Sequence, residues 1–285
     1  MQEQSSSQYI TSRQIGEATV TLINDGTLRW NPQLQAPEDE VRAATPEAEA
    51  DGTLSLGLFV AHIKLGDASI LVDTGYDDPT PEFARQHPQF TSSPGLQAGL
   101  ASIGVRPEEI THVLFTHPHG DHIFAATVEH NGERVPVYPN ARYVIGRADW
   151  VGNPQRDQAD SVLAIQLGTI DRLGLLDLTN GVQEVAPGVA MVAAPGESPG
   201  HSIVCVESAG ERFYFLGDLF HHPCEVAHTD WVSPGRNRAV MQASREALIA
   251  DALATNATLA FSHGQFEPWG RIVRTGDGQH WEYQE

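Results

Sequence analysis

Short apolar runs separated by Gly, Pro, Asn and Asp punctuation recur along the chain, and a few longer stretches place apolar residues at helical spacing. Ala18 to Ile23 alternates and predicts a strand ending at the turn Asn24-Asp25-Gly26. Leu56 to Leu65 and Ser69 to Val72, joined by Gly66-Asp67, predict a hairpin closed by Asp73-Thr74-Gly75. His112 to Thr116 and Asn140 to Ile145 predict further strands, the second running into a helical stretch at Gly146 to Trp150. Val189 to Ala193, Ile203 to Glu207, Phe213 to Leu216 and Thr258 to Phe261 follow as core strands. Helical spacing covers Pro94 to Ile103 and Ala239 to Thr255.

Residues 1 to 12 predict a loose polar tail, and residues 31 to 52, rich in Pro, Glu, Asp and Ala, a surface loop or lid, with solvated loop favoured. Residues 266 to 285 predict a C-terminal hairpin extension turning at Thr275-Gly276-Asp277-Gly278. With no internal repeat and no linker, residues 1 to 285 predict one domain. Strand clusters separated by helices give an α/β (α+β layered) fold class.

The formal net charge of −20, with Lys64 the only lysine, disfavours nucleic acid and anionic lipid as partners and leaves a small-molecule substrate. No apolar run approaches the roughly 20 residues that cross a bilayer. Met1 to Gln8 lacks a basic region and an apolar stretch, so no secretory signal is expected. Two cysteines, Cys205 and Cys224, exclude a disulfide scaffold, and a cytoplasmic location with reduced thiols is the expectation. A homodimer, through residues 31 to 52 and the C-terminal hairpin, is left open.

Thr116-His117-Pro118-His119-Gly120-Asp121-His122 concentrates three imidazoles and a carboxylate directly after an apolar strand. His and Asp suit zinc, and also manganese, iron or cobalt. His117 and His119, two apart, can converge on one ion from a turn, leaving Asp121 and His122 to face a second. Asp218 and His263 each follow a core strand, where strand ends deliver side chains to one rim.

With these residues the chain resembles the metallo-β-lactamase-fold metallo-hydrolase superfamily, from about residue 16 to 264. The resemblance implies an αββα sandwich with a binuclear site, most simply two zinc ions, in a cleft along one edge of the sheets. It implies that His117 and His119 belong to the first metal, that Asp121, His122 and His263 belong to the second, and that Asp218 bridges them. Asp73 is read as a buried acid that orients a loop or a ligand.

Two positions depart from the family pattern. Where a further first-site histidine is implied, in Pro195-Gly196-Glu197-Ser198-Pro199-Gly200-His201, the chain has Glu197. Glu197 is favoured as the ligand over His201, which falls where lactonase-type relatives carry a non-ligating histidine. Three residues after Asp218, where those relatives have a substrate-contacting tyrosine, stands His221, followed by His222. One of this pair could stabilise an oxyanion, protonate a leaving group, supply the imidazole missing at position 197, or simply pack beside the site.

The resemblance favours lactonases, arylesterases and organophosphate hydrolases: metal-activated water attacking an ester, lactone or phosphoester, with Asp121 as proton shuttle and His221 as acid. Two alternatives compete. One is iron-dependent redox chemistry on the same fold, for which a carboxylate at 197 is suited; the other is a metal-binding protein that has lost hydrolytic activity.

Overall fold

A computed structural model describes residues 9–77, 88, 90–92, 95–264, 268–276 and 278–284. Met1 to Gln8, Pro94, residues 266 and 267, Asp277 and Glu285, on which parts of the tail, helix and hairpin expectations fall, lie outside the described residues.

Two large sheets are stacked. In the first, β1 (Ile10–Ile15), β2 (Ala18–Trp30), β3 (Leu54–Leu65) and β4 (Ala68–Val72) form an antiparallel meander. β5 (Phe90–Ser92) pairs with β2. β6 (His112–Phe115), β9 (Arg142–Gly146) and β10 (Leu176–Thr179) then continue the sheet in parallel with β4. β7 (Thr127–His130) and β8 (Glu133–Pro136) make a separate hairpin. The second sheet runs β11 (Val182–Ala186), β12 (Val189–Ala193), β13 (Ser202–Ser208), β14 (Glu211–Phe215), β15 (Thr258–Ala260), β16 (Gly270–Thr275) and β17 (Gly278–Tyr283).

Burial explains the strand sequences. Leu54 to Ile63 is almost continuously apolar because β3 is a central strand covered on both faces. One core lies between the sheets, with Leu22, Ile63, Val72 and Leu114 from the first facing Val189, Met191, Val204 and Phe215 from the second. A second core buries the outer face of the first sheet under the helices Leu96–Ser102 and Val162–Arg172. A third buries the outer face of the second sheet under the helix Arg238–Thr255. That helix turns Met241, Arg245, Leu248, Ile249 and Ala252 inward, the stripe expected of an amphipathic helix. Asn237 caps its start by accepting from Val240 N, and Asn256 ends it in the left-handed conformation. The layers are therefore helix, sheet, sheet, helix.

Three local expectations are corrected. Asn24-Asp25-Gly26 is not a turn: β2 runs through it with an irregularity in its register against β3. The reason is that the polar side chains serve buried backbone. Asn24 Oδ1 accepts from Leu58 N at 3.1 Å, and the Asp25 carboxylate accepts from Tyr76 N, Asp77 N and Leu96 N. Residues 10 to 12 belong to β1, not to a tail. Residues 31 to 52 contain the helix Glu38–Ala44, and Leu34 and Val41 pack on Trp231, because this segment has its own apolar face. The C-terminal hairpin is continuous with the second sheet through β15 and β16.

The parallel pairs fix where the chemistry falls. β4 and β6 end side by side, delivering Asp73 and His117, while β14 and β15 do the same for Asp218 and His263. Backbone bonds then stitch the two ends together: Ser202 N to Thr116 O at 2.9 Å, Phe59 N to Ser262 O at 2.8 Å and Gly57 N to Gly264 O at 2.9 Å. Gly146 lies so close to Gly200 that a Cβ would sit 2.0 Å from the Gly200 carbonyl oxygen.

Candidate metal centre

The histidine cluster leaves β6 as a short turn and enters the helical turn Gly120–Ile123. His117 Nε2 and His119 Nδ1 come within 2.8 Å of each other, two imidazole nitrogens aimed at one point. One ligand-type atom from each of His117, His119, Glu197 and Asp218 falls within 4.8 Å of the others, and Asp121, His122 and His263 form a second such group. Asp218 links the two: its Oδ2 is 3.6 Å from His117 Nε2, and its Oδ1 is 3.2 Å from His122 Nε2 and 3.3 Å from His263 Nε2. Asp218, His221 and His263 make a third overlapping group.

The surroundings aim these side chains. Asp73, held at φ +64 at the end of β4, accepts from Thr116 N at 2.8 Å and Thr116 Oγ1 at 2.9 Å. Its Oδ2 also meets His122 Nδ1 at 2.8 Å, which turns His122 Nε2 towards Asp218. Histidine metal ligands typically have their second nitrogen held in this way. Glu197 sits in a loop pinned by Asp149, which accepts from Ser198 Oγ at 2.6 Å and Gly200 N at 2.7 Å. Gly196 (φ +143) packs so tightly that a Cβ would meet Met241 Cα at 2.4 Å.

His201 lies outside these donor groups. Its Nδ1 faces Ala194 O at 2.9 Å and its Nε2 accepts from Asp218 N at 3.2 Å, so both nitrogens serve backbone. His222 also turns away, with Nε2 2.5 Å from Glu47 Oε1 and Nδ1 accepting from Cys224 N. Through Glu47, the segment 31 to 52 therefore touches the rim of the site. His221 Nε2 is 3.3 Å from Asp218 Oδ2, and its ring stacks between Trp30 and His263.

Electrostatics set the charge of the metal-free site. Burial pushes the Asp121 carboxyl up, but His122 and His263 outweigh it and hold it down at about 2. Burial opposes charging His263 too, yet Asp218 and Asp121 raise it to about 10. Burial and the neighbouring imidazoles push His117 well below the usual histidine range.

The donor set fits divalent cations. His122 Nε2 and Asp218 Oδ1 are buried and face each other at 3.2 Å without making a hydrogen bond, an arrangement that costs free energy unless a cation takes them as ligands. Imidazole and carboxylate at this spacing suit zinc, manganese, iron or cobalt.

Sequence reasoning missed Arg236, whose Nε donates to Glu197 Oε2 at 2.6 Å, and the buried pair Arg245–Glu225 beneath His221. No local pattern marks either, since each partner comes from a different element.

A profile of the metallo-beta-lactamase superfamily matches residues 59–263. An N-acyl homoserine lactonase from Bacillus cereus is 25% identical over 165 residues; the match spans 54% of this chain and 60% of that relative's length. Among solved structures, AidC, a dizinc quorum-quenching lactonase, superposes with a TM-score of 0.76 at 20% identity, over 97% of this chain and 98% of its own. The hydrolase AbOPH gives 0.79 at 19%, again over 97% and 98%. A probable metal-dependent hydrolase from Staphylococcus aureus gives 0.78 at 20%, over 96% and 99%. At these identities the structural likeness establishes the fold alone. Family profile and architecture agree over most of the chain, which therefore belongs to the metallo-beta-lactamase superfamily.

Proposed function

We propose that the chain hydrolyses an ester, lactone or phosphoester of a small molecule at a binuclear metal site. The observation that carries this reading is the pair of adjacent donor groups, with Asp218 a member of the first and its Oδ1 within 3.3 Å of His122 and His263 of the second. His117, His119 and Glu197 would hold one cation, Asp121, His122 and His263 the other, and Asp218 both. Bound divalent cations supply Lewis acidity, polarising the electrophile's oxygen and acidifying water.

The chain's own side chains do the rest. Asp73 fixes His122 through Nδ1, so its Nε2 stays aimed inward. Asp121, with Oδ2 3.3 Å from His263 Nε2, is the more solvent-open of the two carboxylates and is placed to take up the proton released on attack. His221 holds its Nε2 beside Asp218 and offers a hydrogen bond to charge developing on a substrate oxygen. Lactonase and hydrolase relatives support a lactone or ester as the substrate class.

The test is metal content, by mass spectrometry on protein purified without added metal, alongside turnover of a lactone, an aryl ester and a phosphotriester. Two ions per chain, falling to about one in Glu197→Ala, with hydrolysis of at least one substrate, is the expected result. A metal-free protein, or full hydrolysis without metal, would overturn the reading. Glu197 in the first group also favours a second reading, iron redox chemistry; a coloured, iron-loaded protein inert towards all three substrates would select it.

A further inference from the structure

One cation reaches the donor groups from outside them. Arg236 immediately precedes Asn237, the cap of the helix Arg238–Thr255, and meets Glu197 with both arms of its guanidinium. Nε donates to Oε2 at 2.6 Å, and Nη2 closes on Oε1. The Nε arm is a charge-assisted hydrogen bond, while Oε1 meets Nη2 as an ion pair without a hydrogen bond of its own. The pair is lopsided, with the Glu197 side chain 1% exposed and that of Arg236 28%. The same Oε1 lies 3.3 Å from His119 Nδ1, on the side facing the first donor group.

Arg236 is not needed to place the backbone of Glu197. Asp149 holds Ser198 and Gly200, Ser244 Oγ donates to Pro195 O at 2.7 Å, and Gly196 is wedged against Met241. What the guanidinium adds is charge on the carboxylate and a rival for its oxygens.

We infer that Arg236 is a metal-tuning residue. It offsets the charge that Glu197 brings to a position where a neutral histidine is implied, and it competes for Oε1. The first group then holds its divalent cation less tightly than its carboxylates alone dictate, which preserves Lewis acidity. This inference rests on the two donor groups being cation sites.

The consequence is directional. Without Arg236, a buried carboxylate is left with no countercharge, and a cation is the group best able to neutralise it. Arg236→Gln should bind one of its two ions roughly three- to tenfold more tightly than wild type, for a charge partly screened by water. Arg236→Lys keeps the charge but loses the two-armed contact, and should lie between.

The experiment titrates Zn²⁺ into metal-free wild type, Arg236→Gln and Arg236→Lys against a chromophoric chelator, and records melting temperatures with and without Zn²⁺. The expected result is tighter binding of one ion, a lower melting temperature in the metal-free Gln variant, and recovery to at least the wild-type value when Zn²⁺ is bound. An ion pair that only braces the fold would lower both melting temperatures alike, and that outcome, or unchanged or weaker affinity, overturns the inference. Should the Gln variant not fold, the Lys variant decides: affinity above wild type supports the inference, and affinity at or below it does not. Wild type that binds no Zn²⁺ overturns the binuclear reading as well. Wild type that binds two ions beside an unaffected variant overturns the inference alone.

Discussion

Two arginine–glutamate pairs flank the candidate metal centre, and they differ in almost everything except chemistry. Arg245 and Glu225, 2.8 Å apart, are 0% and 1% exposed. Arg245 also donates to Leu219 O and Trp231 O, and its guanidinium lies over the Phe220 ring. Glu225 accepts from the backbone of both His221 and His222. Every arm of that pair is committed to shaping the segment after Asp218. In the other pair only Arg236 reaches water, at 28% exposure against 1% for Glu197, and the guanidinium meets little besides that carboxylate. Burial separates their roles: a fully dry pair is costly to break and rigid, whereas a partly wet one is weak enough to be adjusted.

The largest effect should come from Asp218, on which both sides depend. Asp218→Ala is expected to lose most bound metal and several kcal/mol of charge stabilisation, roughly a thousandfold in turnover. Metal analysis and kinetics on the same preparation check this; a variant holding two ions at wild-type turnover would refute the shared carboxylate.

Next comes the dry pair. Arg245→Met strands the Glu225 carboxylate and should destabilise the fold by about 3–5 kcal/mol in urea unfolding, with part recovered by adding Glu225→Gln. A loss below about 1 kcal/mol would erase the distinction between the two pairs.

Asp73→Asn is expected to weaken metal binding by about ten- to a hundredfold, by loosening His122. Chelator competition measures it, and unchanged affinity would mean that packing alone orients the ring.

The smallest effect concerns Asp149, which pins the Glu197 loop. Burial, opposed by its hydrogen bonds with Ser198 and Gly200 and assisted by Glu197, pushes its carboxyl up to about 6. Because the folded value lies above the unfolded one, the folded state binds more protons between them. Stability contributed at this site is therefore fully present below about 4 and is lost as pH rises through 6. In metal-free protein, Asp149→Asn should gain on wild type by on the order of 1 kcal/mol between pH 4.5 and 7. Parallel unfolding curves at both pH values would show a constant gap if Asp149 does not titrate there.

The sequence made the candidate ligands readable for a physical reason. His117 to His122 lie within one turn, and Asp218 and His263 follow apolar strands whose ends share a rim, so local spacing carried the signal. Glu197 stood out only through the resemblance. What stayed hidden depends on long-range partners: Arg236, Arg245 and Glu47 are ordinary surface-type residues until the chain folds. Asn24-Asp25-Gly26 misled because the same residues that favour turns also satisfy buried backbone amides. The helix Val162–Arg172 escaped because its apolar residues, with Gly168 among them, leave a weak helical pattern.

The stitches between Thr116 and Ser202, and between Gly57, Phe59 and the segment Ser262 to Gly264, also order events in time. A ribosome makes the histidine cluster long before Asp218 and longer still before His263. Contacts of such high sequence separation form late. The cluster therefore waits through the synthesis of the next 96 residues for its shared carboxylate, and the cleft closes only once β14 and β15 have paired. Cation capture on this chain would mark the end of folding, not its beginning.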